Sequence, residues 1–200
     1  MIQENKLNLA IGLFLMLIIQ IGCKAQPNNF LNEQVERTII CDTVFDESIR
    51  SGYLITSLRE KVGSETQEYN GKIYYPYIFS SKKSGQECLL REEHDKLLIF
   101  PKYIKPSNLK KDQVLMDFKS KVGDNWKLTH GGIFSNSIIT LDSIHYNKVL
   151  KDKIYFLSAE PVFDIKDKTR LKHFSISRSK GVLHVTLINW NGYEVECDCR

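Results

Sequence analysis

From Lys72 onward the apolar residues of this chain return at every second position, not every third or fourth. Ile73, Tyr75, Tyr77 and Phe79 share one parity, and Cys88 and Leu90 continue the pattern after a polar loop at 81–85. Successive side chains of a strand point to opposite faces, so a two-residue period in short runs specifies strands with one face inside. Further runs of this kind span 35–41, 97–100, 114–118, 126–129, 138–144, 154–157, 174–176, 182–188 and 193–199. Short strands parted by turn residues, without alternating helices, predict a mainly β fold: an antiparallel sheet, as a sandwich or half-open barrel. A single short helix is predicted at 51–63. There Leu54, Ile55, Leu58 and Val62 share a helical face, Arg59, Glu60 and Lys61 point away, Ser51 caps the start and Gly63 ends it.

The last hairpin can be read to its register. A two-residue loop at Asn191-Gly192 would set Leu183, Val185 and Leu187 on the same face as Glu194, Glu196 and Asp198. A three-residue loop, Trp190-Asn191-Gly192 with Gly192 left-handed, instead places Leu187 opposite Val195, Val185 opposite Cys197 and Leu183 opposite Cys199. The second register keeps apolar with apolar and is the one expected. It turns His184 to the polar side, facing Asp198.

The N-terminus reads as an address. Behind Lys6 an apolar run, residues 7–22, ends in Ile21-Gly22-Cys23, the geometry of a signal peptide. Asn8 and Gln20 interrupt it, and it is short for a span of about 20 apolar residues. Ile21-Gly22-Cys23 resembles a lipobox, in which the cysteine thiol is lipidated and becomes the mature N-terminus, although Gln20 stands where Leu is usual. The expected organisation is a signal peptide at 1–22, lipidated Cys23, a polar tether at 23–33 and one β-rich domain at 34–200. The expected location is the outer membrane, facing the periplasm. The competing cut follows Ala25 and releases a soluble exported protein. Removing 1–22 takes away one Lys and one Glu, so the formal surplus of +4 is unchanged. That charge forms no compact Arg cluster, which argues against nucleic acid as a partner.

Four cysteines remain after the signal: Cys41, Cys88, Cys197 and Cys199. In an exported chain they read as disulfide candidates. Alternate residues of a strand lie about 6.6 Å apart, the edge of the disulfide range. Cys197 and Cys199 are therefore not expected to bond to each other, and at least one is expected to reach Cys41 or Cys88.

Candidates for chemistry are sparse. Glu92, Glu93, His94 and Asp95 crowd one turn, but consecutive residues do not converge on one ion, and a solvated hairpin is the plainer reading. Cys197-Asp198-Cys199 with His184 has metal-ligand chemistry, yet export and the expected register favour a structural role. Ser107-Asn108-Leu109-Lys110 matches a serine-x-x-lysine pattern at two positions only. Lys102, Lys105, Lys110 and Lys111 surround Tyr103 and Pro106 in an expected loop, and His130, His145 and His173 lack ligand spacing. Neither a catalytic set nor a cofactor or metal is expected.

Two stretches carry a resemblance: Glu87 through Phe100, with Leu90-Arg91-Glu92-Glu93, and Val114 through Trp126, with Asp117-Phe118 and Lys121-Val122-Gly123-Asp124. With Ser177 through Leu183, they are similar to the uncharacterised secreted β-domain proteins and lipoproteins of Bacteroidetes-type bacteria. The resemblance implies a small envelope β-domain and transfers no catalytic residue. Phe118 and Trp126 are expected to be core anchors around the turn at Gly123-Asp124-Asn125.

The leading expectation is thus a non-enzymatic cell-envelope lipoprotein that binds a protein, glycan or lipid, held to the membrane by its lipid. One alternative is a lipid or lipoprotein carrier, a half-open barrel whose Tyr75, Tyr77 and Phe79 line a ligand groove. The other is an exported hydrolase, which needs a His brought to a carboxylate or Ser in a cleft.

Overall fold

Almost every strand pairs with the strand that follows it in the chain, so the sheet is a meander that closes on itself. The computed structural model describes residues 31, 36–41, 57–69, 71–80, 87–101, 112–129, 132–162, 170–188, 192 and 194–199. The signal segment, Cys23, most of the tether, 51–56, 102–111 and His130 lie outside them. Strands β1 (Glu36–Cys41), β2 (Ser57–Val62), β3 (Gln67–Tyr69), β4 (Lys72–Ser80), β5 (Glu87–Glu93), β6 (Lys96–Pro101) and β7 (Gln113–Asp117) make one half. The other half comprises β8 (Asn125–Leu128), β9 (Ser137–Asn147), β10 (Asp152–Pro161), β11 (Arg170–Ser177), β12 (Gly181–Ile188) and β13 (Glu194–Cys199). The order around the sheet is β7-β6-β5-β4-β2-β1-β13-β12-β11-β10-β9-β8, all antiparallel, with β3 also on β4. The result is nearly a closed barrel. Among the described residues, no helix is long and apolar enough to cross a membrane.

The predicted helix at 51–63 is not observed in its described part: Ser57–Val62 is strand β2. Leu58 and Val62 point inward and are buried, but the residue between them on that face is Glu60, itself fully buried. A carboxylate at an inward position hides the two-residue period and makes a helical face look better. Burial is met by hydrogen bonds: Tyr77 Oη donates to Glu60 Oε1 at 3.0 Å, and the Val182 N–H approaches the same oxygen at 3.4 Å. Glu60 thereby ties β2 to β4 and, across the interior, to β12.

Strands β2 and β3 share one edge of β4, with Val62 opposite Tyr77 and Gln67 opposite Tyr74. The break between them has a cause in β4. Pro76 has no N–H, and its carbonyl accepts from Gly63 N on that edge at 2.8 Å. In an antiparallel strand a residue's N–H and C=O face the same neighbour, so the missing donor lies on the β2–β3 side, and the partner strand is interrupted there. Gly63 accommodates the close approach: a Cβ added to it would stand 3.1 Å from Pro76 Cβ.

Closure joins the two ends of the chain. Strand β1 pairs with β13, Ile39 opposite Cys199 and Cys41 opposite Cys197, and a disulfide links Cys41 to Cys197 on the inward face. The first and last strands are thus bonded covalently across 156 residues. On the opposite side β7 and β8 share no ladder among the described residues, and the Gln113 side chain bridges them. Gln113 Oε1 accepts from Thr129 N at 2.8 Å while its Nε2 donates to Thr129 Oγ1 at 2.5 Å. Register shifts in β6–β7, β9–β10 and β11–β12 bend the sheet round.

The interior is packed across its width. The 3-10 turn Gly132–Phe134 drives Phe134, fully buried, between the walls, its ring 5.5 Å from Phe79 of β4 and 5.3 Å from Phe174 of β11. Phe118 and Trp126 are partly buried against this core. A second, smaller cluster covers the outer face of β4–β6, where Tyr74, Leu89 and Phe100 are buried with Tyr69 against them. With both faces of β6 buried, Leu97–Phe100 reads as a continuous apolar run.

The last hairpin has the expected register: Leu187 opposite Val195, Val185 opposite Cys197 and His184 opposite Asp198. Gly192 has φ +86°, as a left-handed loop position demands.

Candidate functional site

A meander sorts its connections onto two rims. One rim carries the short turns 70–71, 94–95, 148–151 and 178–180 together with the seven-residue connection 118–124; the strands at the other rim are joined through 42–56, 81–86, 102–112, 129–136, 162–169 and 189–193. Leu31 lies at the first rim, so the chain enters the barrel on the side of the short turns.

At this rim the sheet splits. Strands β4 and β5 pair down to Tyr75 opposite Leu90 and then diverge. Below that point β4 continues with β3, Tyr69 opposite Lys72, while β5 continues with β6, Glu93 opposite Lys96. The β5–β6 turn has positive φ at both His94 and Asp95, as a two-residue turn of the primed kind requires. Between the diverging hairpins lies a cleft of about 440 Å³, lined by Gly71, Lys72, Ile73 and Tyr75 on one wall and Arg91, Glu92 and Glu93 on the other. Leu31, 2% exposed, forms its floor.

The charges of the cleft are largely spoken for. Arg91 is buried; its Nε donates to Asp112 Oδ2 at 3.0 Å, and its Nη2 contacts Asp112 and Glu93 Oε2, the latter at 2.6 Å. Burial works against the guanidinium charge, but the two carboxylates outweigh it and hold Arg91 above its ordinary range. Arg91 in turn holds the Glu93 carboxyl below the usual carboxylate range. Tyr74 donates to Asp112 Oδ1 at 2.9 Å and lies under the Arg91 guanidinium; burial first, then Asp112, pushes its hydroxyl up. Glu92 accepts from Arg178. The groups left to meet a ligand are the half-exposed Lys72 ammonium, 3.9 Å from Asp112, the Tyr75 ring and exposed Ile73. This set places a cation beside an aromatic ring and an apolar side chain.

Arg178 fastens three turns of this rim together. It bonds Glu92 and, at 2.7 Å, Asp95 of the β5–β6 hairpin, and lies 5.6 Å above the Phe118 ring. Phe118 N donates to the Asp95 carbonyl, Lys119 pairs with the Asp95 carboxylate, and Tyr155 Oη donates to the Phe118 carbonyl. Beside this, Asp152 Oδ2 accepts from Ser177 Oγ at 2.6 Å, Ser179 Oγ at 2.7 Å and Ser179 N at 3.0 Å. Burial pushes the Asp152 carboxyl up, but these hydrogen bonds prevail and hold it below the usual range.

The structure disperses the sequence candidates. Tyr77 and Phe79 are buried in the core, and only Tyr75 of the three aromatic residues reaches the cleft. Cys41 and Cys197 are bonded; Cys88 is buried on the inward face of β5, and the Cys199 side chain falls outside the described residues. Glu93 is joined to Arg91, while Glu92 and Asp95 share Arg178 and Asp95 also pairs with Lys119, and no group of three His, Cys, Asp or Glu among the described residues is placed to hold a metal ion. His184 lies outside on β12, its Nδ1 2.7 Å from Asp198 Oδ1 and its Nε2 2.7 Å from Glu196 Oε2, with Thr186 Oγ1 at 3.2 Å. The Thr186 hydroxyl donates to the same Glu196 oxygen at 2.9 Å, so imidazole, hydroxyl and two carboxylates form one bonded cluster. Lys72 and Leu31 were missed as site residues, whereas Ile73 lies on the alternating face that the sequence marks with Tyr75. The Asn70-Gly71 dipeptide, a hairpin signal, was the available pointer to that wall.

No protein-family model matches the chain, and no curated protein or solved structure matches it.

Proposed function

We propose that this protein is a non-enzymatic lipoprotein of the cell envelope that acts by binding, its β-domain held at the outer membrane through Cys23. The observation that carries the reading is the filled barrel. Phe79, Phe134 and Phe174 pack across the interior, which leaves recognition to the exterior and to the rim cleft. A carrier of lipid needs room where these rings stand. The Cys41–Cys197 bond across the seam suits an oxidising compartment, and Ile21-Gly22-Cys23 supplies the anchor. The cleft offers an ammonium beside apolar and aromatic surface, chemistry for an anionic group with an apolar neighbour. In the experiment that tests the reading, Cys23→Ser moves the protein from the membrane fraction to the soluble exported fraction and abolishes fatty-acid labelling. Unchanged fractionation overturns it.

A further inference from the structure

The most exposed apolar side chains of the described residues gather at one end of the barrel. Val149 is 89% exposed, Tyr146 63%, Val122 60% and Ile73 56%; the next, Ile40, is 41%. Ile73 begins β4, Val122 lies in the β7–β8 connection, Tyr146 ends β9 and Val149 tips the β9–β10 turn, so all four belong to the rim of short turns. Exposed lysines flank them. Lys121 precedes Val122, while Lys148, Lys151 and Lys153 surround Val149, and none of these four forms an ion pair among the described residues. Of the carboxylates nearby, Asp95 pairs with Lys119 and Arg178, Asp152 accepts from Ser177 and Ser179, Asp124 accepts from the Lys121 N–H, and Glu68 stands exposed opposite Ile73, away from Val122 and Val149 in the chain.

The chain enters at the same rim. Seven residues lie between Cys23 and Leu31, eight steps of the chain with a reach of at most about 28 Å when fully extended. We infer that the rim of short turns is an interfacial docking surface for an anionic lipid bilayer, with Val122, Tyr146 and Val149 entering the headgroup region and Lys121, Lys148, Lys151 and Lys153 meeting lipid phosphates. The inference rests on the lipid-anchor reading for the tether's length, while the exposed residues stand by themselves. A lipid on a short tether holds this rim near the membrane, and the rim's own chemistry turns proximity into a fixed orientation, long connections outward.

The test uses the full exported chain carrying Cys23→Ser, so that no acyl chain contributes, with sedimentation on vesicles of phosphatidylethanolamine containing one quarter phosphatidylglycerol. The protein partitions onto these vesicles, and raised salt or replacement by phosphatidylcholine weakens it. Each lysine replaced by Ala lowers the partition about five-fold, as expected for a charge near an anionic surface. Val149→Asp lowers it about ten-fold or more, and Ile138→Asp at the opposite rim leaves it unchanged. The Val149 tip bears no packing load, so its variant keeps the parent's melting curve. Absence of vesicle binding, or equal binding by parent and Val149→Asp, overturns the proposal. A dimer of the parent that Val149→Asp dissolves, without vesicle binding, assigns the patch to a second copy and overturns it as well. Failure of the anchor reading is separate: wild-type protein then lacks fatty-acid label while the Cys23→Ser chain still binds vesicles.

Discussion

Reducing the Cys41–Cys197 bond should cost this protein a large share of its stability. The bond spans 156 residues, so in the chain-entropy account it removes about 5 kcal/mol of freedom from the unfolded state. A domain of this kind has about 5–15 kcal/mol in total. Reduction leaves both sulfurs in place, so the buried packing of Cys41 and Cys197 survives and the difference isolates the cross-link. The β1–β13 hydrogen bonds remain, but the seam they close then joins strands from the two ends of a free chain. Urea unfolding of oxidised protein, and of protein reduced in denaturant and refolded with reductant, should differ by about 4–5 kcal/mol. Cys41→Ala/Cys197→Ala should lose about 1–2 kcal/mol more, for the packing of two buried sulfurs. A difference below about 1 kcal/mol between oxidised and reduced protein, or two alkylatable thiols at these positions in exported protein, refutes the reasoning.

Phe134→Ala should destabilise by about 3–5 kcal/mol in urea unfolding and leave a cavity between Phe79 and Phe174 that takes up benzene or xenon. Arg178→Ala should cost about 1–2 kcal/mol, and Arg178→Lys should restore little of it, because a single ammonium cannot reproduce the paired contacts with Glu92; the Phe118 amide should exchange faster in both. The depressed Asp152 carboxyl adds stability that is fully present above its unfolded value of about 3.9 and is lost as pH falls through the lower folded value. Thermal melts across that acid range should show a smaller loss for Asp152→Asn than for the parent.

Much of the fold was legible because strands announce themselves by parity. The β12–β13 register followed from one requirement, that Leu183, Val185 and Leu187 not share a face with three carboxylates, and it was met with Gly192 left-handed. Strand β2 was misread because Glu60 is buried at an inward position, and the hydroxyl that makes this tolerable comes from Tyr77, seventeen residues on. The cleft was illegible for a related reason. It exists because β4 and β5 diverge below Tyr75 and Leu90, and because Arg178 reaches Glu92 from eighty-six residues away. Phe134 lies just beyond Gly131-Gly132-Ile133, between two predicted strands, and local pattern gives no hint that it crosses the barrel. Of the candidate groove, Tyr75 alone lies at the cleft, since parity marks which residues face inward but not where along the barrel the interior ends.

We propose that a filled barrel is held to the membrane by its first mature residue, Cys23. Mass spectrometry of the N-terminal peptide, released from protein purified out of the membrane fraction, tests this most directly. The expected peptide begins at Cys23 and carries a diacylglyceryl thioether. A mature chain that begins at Gln26 without lipid contradicts it.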